Sequence, residues 1–361
     1  MKKIVTIVGA RPQFVKAAVV SRAMEKEKNL EEVILHTGQH FDRNMSQIFF
    51  DELGIRRPDY NLGVAGGTHG QQTGRMIEKI EEVLMQEQPD CILLYGDTNS
   101  TLAGTIAASK LHIPIAHVEA GLRSYNMKMP EEVNRMLTDR VSELLFTPAA
   151  NASNTLLLEG IDAGKIHNVG DVMYDAAIHF GAMSDQRLDV REKYGLENDR
   201  FILITIHRAE NTDDDDRLLG IMHALSELGT AYKLVWPLHP RTARRLDELK
   251  FDREKSAISF IEPVGYLEML QLLSESSLVI TDSGGVQKEA YFRGTRCLVA
   301  RNETEWVELV DMGFNRLLVD LSKAVSTVRE MIEGGAKDFS ALVYGDGNAS
   351  EKIASILSKK L

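Results

Sequence analysis

The feature that most constrains the fold is an alternation of short apolar, β-branched runs with longer amphipathic segments. Runs such as "KIVTIV" and "CILLYG" alternate with segments such as "TGRMIEKIEEVLMQE", whose apolar residues recur at helical spacing. This alternation is typical of β-α-β units, in which a helix joins two parallel strands. It predicts strands in the runs "KIVTIV", "EVILHTG", "CILLYG", "IPIAHVE" and "LLFTP" of one parallel sheet.

The same pattern restarts in the second half of the chain. "RFILITIHRAEN" opens a second series that continues with "KLVWPLHP", "ISFIEP", "LVITDSGG" and "RCLVAR". A chain of 361 residues is also longer than a single core usually supports. We therefore predict an α/β protein with two doubly wound, Rossmann-like domains, at 1–170 and 171–345. The polar stretch 181–200 is predicted to be the linker region, and residues 346–361 a terminal helix that packs back on the first domain.

The overall negative charge argues against nucleic acids and anionic membranes as partners. The formal net charge is −11, whereas binding to nucleic acid or to an anionic membrane needs a basic face. No stretch approaches the length of a membrane span. Cys91 and Cys297 lie in apolar runs, which predicts buried thiols, no structural disulfide and a cytoplasmic location.

The loop after the first predicted strand reads "GARPQFVK". It has a single glycine and lacks the Gly-x-Gly-x-x-Gly fingerprint, so we predict no NAD. Arg11 in the turn and Lys16 further along the helix can both reach a phosphate. The alternative is a helix start with Pro12 near its first turn and two solvated cations.

Three carboxylates follow later strands of the first series. Asp97 lies between a strand and a helix, where it can also serve as an N-cap. Glu119 ends another strand, with Arg123 as a possible ion-pair partner, and Glu131 follows Pro130 at a helix start that an acid also stabilises. Because the carboxyl ends of the strands share one edge, the three should converge as an acid/base cluster.

The second series carries candidate groups for binding an anion. In "TDSGGVQKEA", the hydroxyl of Ser283 and the amides of Gly284 and Gly285 can bind oxygen anions, and Glu289 can accept hydrogen bonds from a ribose or lie on the surface. Further candidates end neighbouring strands. They are His207, Arg208, His239 and Arg301.

Six motifs together resemble a known family. "GARPQFVK", "GDTNSTLAG", "HVEAGLRS", "MPEEVNR", "HRAEN" and "TDSGGVQKEA" occur in the order found in non-hydrolysing UDP-N-acetylglucosamine 2-epimerases. The resemblance implies the GT-B fold, with a UDP-sugar bound between the two domains and mainly by the second. It implies acid/base roles for Asp97, Glu119 and Glu131. It implies substrate contacts for Arg11, Lys16, His207, Ser283, Gly284, Gly285 and Glu289.

Two departures from the common family pattern point to a subgroup. This chain has "SYNMKMPEE" where common members have a longer loop ending in "PWPEE", and "TEWVE" where they have "TERPE". Trp306 therefore stands where the family has a substrate-contacting arginine. Both changes resemble the subgroup that acts on UDP-2,3-diacetamido-2,3-dideoxyglucuronic acid, a precursor of O-antigen sugars. We rank this substrate ahead of UDP-N-acetylglucosamine.

The implied reaction inverts carbon 2 through elimination and re-addition of UDP, without metal or other cofactor. The turn at Ser283, with Arg11 and His207, would stabilise departing UDP, while Glu119 and Glu131 exchange the carbon 2 proton and Asp97 assists. His207 is therefore grouped with the catalytic residues. The rivals are a GT-B glycosyltransferase, a hydrolysing epimerase and a silent UDP-sugar sensor. A homodimer is implied by the resemblance alone.

Overall fold

The computed structural model describes residues 1–39, 53–197, 199–335 and 337–361. Its internal contacts divide the chain into two compact units, one formed by residues 1–179 and 342–361 and the other by residues 180–341. We call them the first and the second unit. The division falls within one helix, whereas the sequence suggests boundaries near residues 170 and 345.

The first unit is built on a parallel sheet of seven strands in the order β3-β2-β1-β4-β5-β6-β7. The five strands predicted from the apolar runs form its centre. β3 and β7 were not predicted, because they have only two and three residues. The strands are β1 (Lys2–Val8), β2 (Leu30–His36), β3 (Tyr60–Asn61), β4 (Cys91–Tyr95), β5 (Ile115–Val118), β6 (Leu144–Thr147) and β7 (Ile166–Asn168).

The helices of the first unit follow the amphipathic pattern. The longest of them buries Met76, Ile80, Val83 and Leu84 on one face, as their spacing predicts. The helices are α1 (Arg11–Met24), α2 (His69–Glu87), α3 (Asn99–Lys110), α4 (Pro130–Val141), α5 (Ala150–Leu158), the beginning of α6 (Val172–Arg187) and, at the end of the chain, α15 (Ala349–Lys360). A short 3-10 helix spans Ala163–Lys165.

The terminal helix α15 lies beside α1 within the first unit. Lys26 pairs with Glu351 at 3.1 Å, and the side-chain amide of Asn29 donates to the carbonyl of Ser358 at 2.9 Å. Asp175 of α6 accepts from the backbone amides of Ala349 and Ser350, which fixes the start of α15.

The second unit repeats the arrangement with six parallel strands in the order β10-β9-β8-β11-β12-β13. Its strands are β8 (Phe201–Thr205), β9 (Lys233–Pro237), β10 (Ile258–Ile261), β11 (Leu278–Thr281), β12 (Cys297–Val299) and β13 (Asn315–Leu317). Its helices are the end of α6, α7 (Val190–Tyr194), α8 (Ala209–Thr212), α9 (Asp215–Leu228), α10 (Pro240–Glu248), α11 (Tyr266–Glu275), α12 (Gly284–Phe292), α13 (Val307–Asp311) and α14 (Ala324–Glu333). A 3-10 helix spans Leu321–Lys323.

The linker predicted at 181–200 is wrong for most of that stretch. Residues 181–187 continue α6 and residues 190–194 form α7. The buried hydroxyl of Ser184 donates to the carbonyl of Leu267 at 2.6 Å, and Gln271 is hydrogen-bonded to both Leu188 and Val190. These contacts to α11 make the stretch part of the second unit despite its polar composition.

Each sheet has one place where the direction of strand addition reverses, and such a point is the usual ligand site of an open α/β sheet. In the first unit it lies between β1 and β4, and in the second between β8 and β11. Arg11, Asp97, His207 and Ser283 follow these four strands, Arg11 as the first residue of α1 and the others in the loops. The switch points of the two sheets therefore coincide with the loops in which the sequence predicts functional residues.

Within the described ranges, no helix is both long and apolar enough to cross a membrane. The same residues contain no group of three or more His, Cys, Asp and Glu side chains placed to hold a metal ion. Both cysteines are buried and free.

Candidate active site

A buried glutamine joins the two loops at the switch point of the first unit. The Gln13 side-chain oxygen accepts from the amides of Gly9 and Ala10 at 2.8 and 3.0 Å, and its nitrogen donates to the carbonyl of Tyr95 at 2.7 Å. The loop after β1 is thereby fixed to the loop after β4. Arg11 begins α1 at this junction, and its side chain lies outside the described part of the structure.

Lys16 and Glu119 form a largely buried ion pair beside the loop after β4. Only 9% of the Lys16 side chain and 13% of the Glu119 side chain are exposed. A Cβ added to Gly96 would lie 3.4 Å from the Glu119 carboxylate and 3.5 Å from the Lys16 ammonium. Glu119 has a φ of 71°, a left-handed conformation that is rare outside glycine and is often found at functional sites.

The suggestion that Arg123 pairs with Glu119 is wrong, because Arg123 pairs elsewhere. Its guanidinium donates to Asp139 at 2.7 Å and to both carboxylate oxygens of Glu159. Asp139 also contacts the His117 ring at 2.7 Å, and the other ring nitrogen lies 2.7 Å from the carbonyl of Gly96. Burial opposes the charged form of Asp139, yet hydrogen bonds and positive charge from His117 and Arg123 hold its pKa below its usual value.

Asp97 belongs to a second charge cluster, formed with α4. Its carboxylate pairs with the guanidinium of Arg135, which also donates to Glu132 at 2.7 Å. The N-cap of α3 is Thr98, whose hydroxyl accepts from the amide of Thr101, so the N-cap role considered for Asp97 is not the observed one. Asp97 remains partly exposed beside this network.

The adjacent acids of the first turn of α4 have different environments. Glu132 is fully buried and accepts from the amides of Ser124 and Tyr125, both at 2.9 Å, so it holds the preceding loop. Glu131 is exposed, and no residue in the described ranges pairs with its carboxylate. Of the two acids, only Glu131 is free to contact a substrate.

In the second unit a fully buried carboxylate that the sequence reasoning missed joins the two switch-point loops. Asp282 accepts from the amides of His207 at 3.0 Å and Arg208 at 2.9 Å, and from the side chain of Asn211 at 2.9 Å. The motif "TDSGG" could have identified Asp282, because it places an acid directly after a buried strand. Asp282 fixes the backbone of the loop after β8 against the start of α12.

The Ser-Gly-Gly turn forms the start of α12, with Ser283 as N-cap. The Ser283 side chain makes no capping hydrogen bond, so it does not satisfy the free amides of the first turn. A Cβ added to Gly285 would meet no atom of the described residues within 4 Å, whereas one on Gly284 would lie 3.6 Å from both Glu305 and Trp306. Gly284 is a point of close approach, and Gly285 faces open space.

His207 and His239 lie together at the ends of β8 and β9. Their rings stack with centroids 5.3 Å apart, and the Nδ1 of His239 accepts from the amide of Arg241 at 3.2 Å as the N-cap of α10. Burial, followed by the positive charges of His207 and Arg241, lowers the pKa of His239. His207 Nδ1 is 3.8 Å from the Asp282 carboxylate.

Arg301 is buried and already paired within the second unit. It donates to Glu305 at 2.8 Å and to Glu210 at 3.2 Å. Burial opposes the charge on Glu305, but the Arg301 hydrogen bond and the charges of Arg301 and Arg208 keep its pKa below the usual value. Glu289 is half-buried in the second turn of α12.

Comparison with known proteins gives a consistent result. The sequence profile described as UDP-N-acetylglucosamine 2-epimerase matches residues 22–358. A Pseudomonas aeruginosa protein named UDP-2,3-diacetamido-2,3-dideoxy-D-glucuronate 2-epimerase is 52% identical over 99% of both chains. A Methanococcus maripaludis UDP-N-acetylglucosamine 2-epimerase homolog is 48% identical over 98% of this chain and 99% of its own.

A solved structure extends the similarity to three dimensions. The UDP-GlcNAc 2-epimerase of Methanocaldococcus jannaschii, in complex with UDP-GlcNAc and UDP, matches with a TM-score of 0.88 and 42% identity over 99% of both chains. The fold class predicted from the sequence, two Rossmann-like units of GT-B type, is confirmed by this match and by the two parallel sheets.

Proposed function

The chain belongs to the UDP-N-acetylglucosamine 2-epimerase family, and on that premise we propose that it reversibly inverts carbon 2 of a UDP-2-acetamido sugar. The family recognised from six motifs is thus confirmed, and its members are isomerases. The class of reaction rests on one observation above all, the 52% identity over 99% of both chains to a named 2-epimerase.

Inversion at carbon 2 is difficult by direct deprotonation, since no carbonyl is adjacent to stabilise the carbanion. In the route we propose, a carboxylate removes the carbon 2 proton, the electron pair forms a carbon 1–carbon 2 double bond, and the bond from carbon 1 to UDP breaks. In the second half of the reaction, UDP adds back to carbon 1 of this glycal while a proton is delivered to the other face of carbon 2, which gives the epimer. Atoms and electrons balance, so the route needs no oxidant or reductant.

We assign the proton transfers to the first unit. Glu119 and Glu131 are the acid/base pair, and Asp97 supports them. Their environments differ, since Glu119 is paired with Lys16 and Asp97 with Arg135, while Glu131 is exposed. Two carboxylates in different environments suit the opposite roles of acid and base.

We assign UDP binding to the second unit. The free amides at the start of α12 and the positive end of its dipole suit a diphosphate, and Gly285 leaves space for close approach. We assign local positive charge or hydrogen-bond donors to His207, Arg208 and His239, and the ribose hydroxyls to Glu289. Lys16 and Arg11 of the first unit are the further candidates. We assign Arg301 a supporting role rather than a contact with the substrate. It donates to Glu210 and Glu305, and both of these partners belong to the second unit itself.

For the sugar we propose UDP-2,3-diacetamido-2,3-dideoxyglucuronate, converted to its manno epimer for surface polysaccharide. The relative named for this sugar is 52% identical, against 42% for the Methanocaldococcus jannaschii relative named for UDP-N-acetylglucosamine. Trp306, in place of the arginine that common members carry, also favours a remodelled sugar pocket. UDP-N-acetylglucosamine is the alternative substrate.

We also propose a homodimer that acts in the cytoplasm. Apolar side chains are exposed on two helices of the first unit, which suits a contact between copies. They are Met136, Leu137 and Val141 on α4, and Leu157 and Leu158 on α5. Light scattering should give twice the chain mass, and a monomer at micromolar concentration would contradict the dimer.

One experiment tests the function. The protein is incubated with each of the two UDP-sugars in deuterated water, and the sugar is followed by NMR. We expect epimerisation with deuterium entering at carbon 2, faster with the diacetamido sugar. Stoichiometric release of free UDP would indicate a hydrolysing epimerase. Tight UDP binding without exchange in either sugar would refute the epimerase and favour a glycosyltransferase or a sensor.

A further inference from the structure

We infer that Trp306 is a positioning residue for UDP. Its indole N–H holds the peptide between Gly284 and Gly285 in the orientation that presents the Gly285 amide to the diphosphate. The inference rests on the UDP site proposed above. It adds an uncharged side chain, the indole of Trp306, that orients a backbone donor of that site.

Trp306 is held tightly against the start of α12. Its indole nitrogen donates to the carbonyl of Gly284 at 2.8 Å, and only 7% of the residue is exposed. The Lys288 ammonium lies 4.1 Å from the centroid of the indole ring, which is cation–π geometry, and Lys288 is itself buried. The ring is therefore fixed by two contacts with the same helix.

The geometry of the peptide bond turns this contact into an effect on ligand binding. A trans peptide is planar, so its carbonyl and its N–H point in opposite directions. The Gly284 carbonyl already accepts the helical hydrogen bond from the Lys288 amide, so the indole N–H is a second donor that further orients the Gly285 amide and polarises it. That amide belongs to the first helical turn, where no intrahelical acceptor exists, and Gly285 faces open space.

The segment that carries Trp306 is fixed to the same helix by a separate contact. The Thr304 hydroxyl donates to the Gln287 side chain at 2.7 Å, one turn further along α12. This contact anchors the segment without touching the Gly284–Gly285 peptide. The same hydroxyl also accepts from the backbone amide of Trp306 at 3.3 Å. Its removal therefore weakens the anchoring of the segment, including Trp306, but leaves the indole N–H as a donor to the peptide, which makes it a control for that donor.

The test compares Trp306→Phe with Thr304→Val in the full chain, by UDP titration calorimetry. Phenylalanine keeps an aromatic face for Lys288 but removes the N–H donor. We expect Trp306→Phe to weaken UDP binding about tenfold, as for loss of one hydrogen bond from a well-oriented Gly285 amide to the diphosphate, and Thr304→Val to change it less than about twofold. In the epimerase assay the KM should rise more than kcat falls.

A spectroscopic measurement on the unsubstituted protein is independent of how well the variant folds. The chain has two tryptophans, and the other one, Trp236, is fully buried in β9. After labelling with 5-fluorotryptophan, addition of UDP should shift the fluorine resonance of Trp306 and leave that of Trp236 in place. Residues that merely support the fold would not respond to UDP in this way.

Three outcomes would overturn the inference. They are unchanged UDP affinity in Trp306→Phe, an equal loss in both variants, and a Trp306 resonance that does not respond to saturating UDP. In each case the unsubstituted protein still binds UDP and the proposed function stands. Failure of the unsubstituted protein to bind UDP would instead refute the proposed function.

Discussion

The first unit and the second unit share the order of six strands, and the first adds a seventh at its edge, yet the side chains at their switch points differ. In the first, charged side chains face one another, as Lys16 with Glu119 and Asp97 with Arg135. In the second, the buried carboxylate of Asp282 accepts hydrogen bonds from backbone amides. The contrast suits a division of labour. Proton transfer requires ionisable groups, whereas a diphosphate is well bound by oriented backbone donors.

The sharpest test of this contrast is Glu119→Gln, which keeps the shape of the side chain but removes its charge and its capacity to take up a proton. We expect deuterium exchange at carbon 2 to fall about 10³-fold, within the range for loss of an acid/base group. UDP affinity should stay within about threefold, since we assign most of that affinity to the second unit and the substitution affects UDP only through Lys16, the ion-pair partner of Glu119.

The matched control for that substitution is Glu159→Gln. It makes the same chemical change in the first unit, at a partly exposed acid that pairs with Arg123. Exchange should be nearly unaffected. A large loss of UDP affinity in Glu119→Gln would instead make Glu119 an anchor for the nucleotide and remove the contrast between the units.

The corresponding test of the second unit is Asp282→Asn. An amide keeps one acceptor oxygen but places an NH2 group where Oδ1 also accepts from the His207 amide at 3.1 Å, so that hydrogen bond is lost and the remaining ones lose their charged acceptor. We expect UDP affinity to fall about 10- to 100-fold and the unfolding free energy to fall by about 1–3 kcal/mol, as for loss of a hydrogen bond to a charged group. Calorimetry and thermal unfolding measure the two effects.

Asp213→Asn is the control in the same unit, because Asp213 is exposed and pairs with Arg241 at the surface. Surface pairs contribute little, so both quantities should stay near the unsubstituted values. If Asp282→Asn lowered stability but not UDP affinity, the loop after β8 would have no part in binding UDP.

A smaller effect is expected for Arg135→Lys in the first unit. Arg135 donates to Asp97 and Glu132 with separate nitrogens, and a lysine ammonium cannot reproduce this fork. We expect kcat to fall about tenfold with UDP affinity unchanged, and Arg140→Lys on the exposed face of the same helix to be neutral. A loss confined to KM would show that the cluster serves binding rather than proton transfer.

The smallest expected effect concerns pH and tests whether side-chain charge matters in the second unit as well. The lowered pKa of His239 means that it is largely neutral in the free protein at neutral pH. A bound diphosphate favours the protonated ring, so binding takes up a proton. UDP-sugar affinity should rise a few-fold as the pH falls from about 8 to about 6, toward the lowered pKa of His239 in the free protein.

His239→Asn isolates this effect, because asparagine preserves an N-cap acceptor for α10 but does not titrate in this range. Proton uptake, measured by calorimetry in buffers of different ionisation enthalpy, should vanish in the variant. A UDP-sugar is the appropriate ligand, since its diphosphate does not ionise near neutral pH. Equal proton uptake in both proteins would assign it to another group.

The sequence predicted the central strands of both sheets, because each is a buried apolar run that local composition reveals. It missed β3, β7 and β13, which are too short to carry a pattern. The stretch predicted as a linker is helical, since single polar residues such as Ser184 find partners on α11.

For the site, the sequence located the loops but not the partners within them. Lys16 pairs with Glu119, which is 103 positions away along the chain, and Gln13 joins two loops more than 80 positions apart. Asp282, Arg135 and Trp306 contact His207, Asp97 and Gly284 respectively, which sequence spacing does not connect with them.

The sequence by itself determined the fold class, the family and the loops that flank each switch point, because periodicity, turn residues and motif order are local properties of the chain. Only the tertiary structure decided which charges pair, that Glu132 supports a loop while Glu131 is exposed, and that Trp306 contacts the Gly284 carbonyl. The physical reason is that such contacts depend on the packing of elements distant in sequence, and no local pattern encodes them.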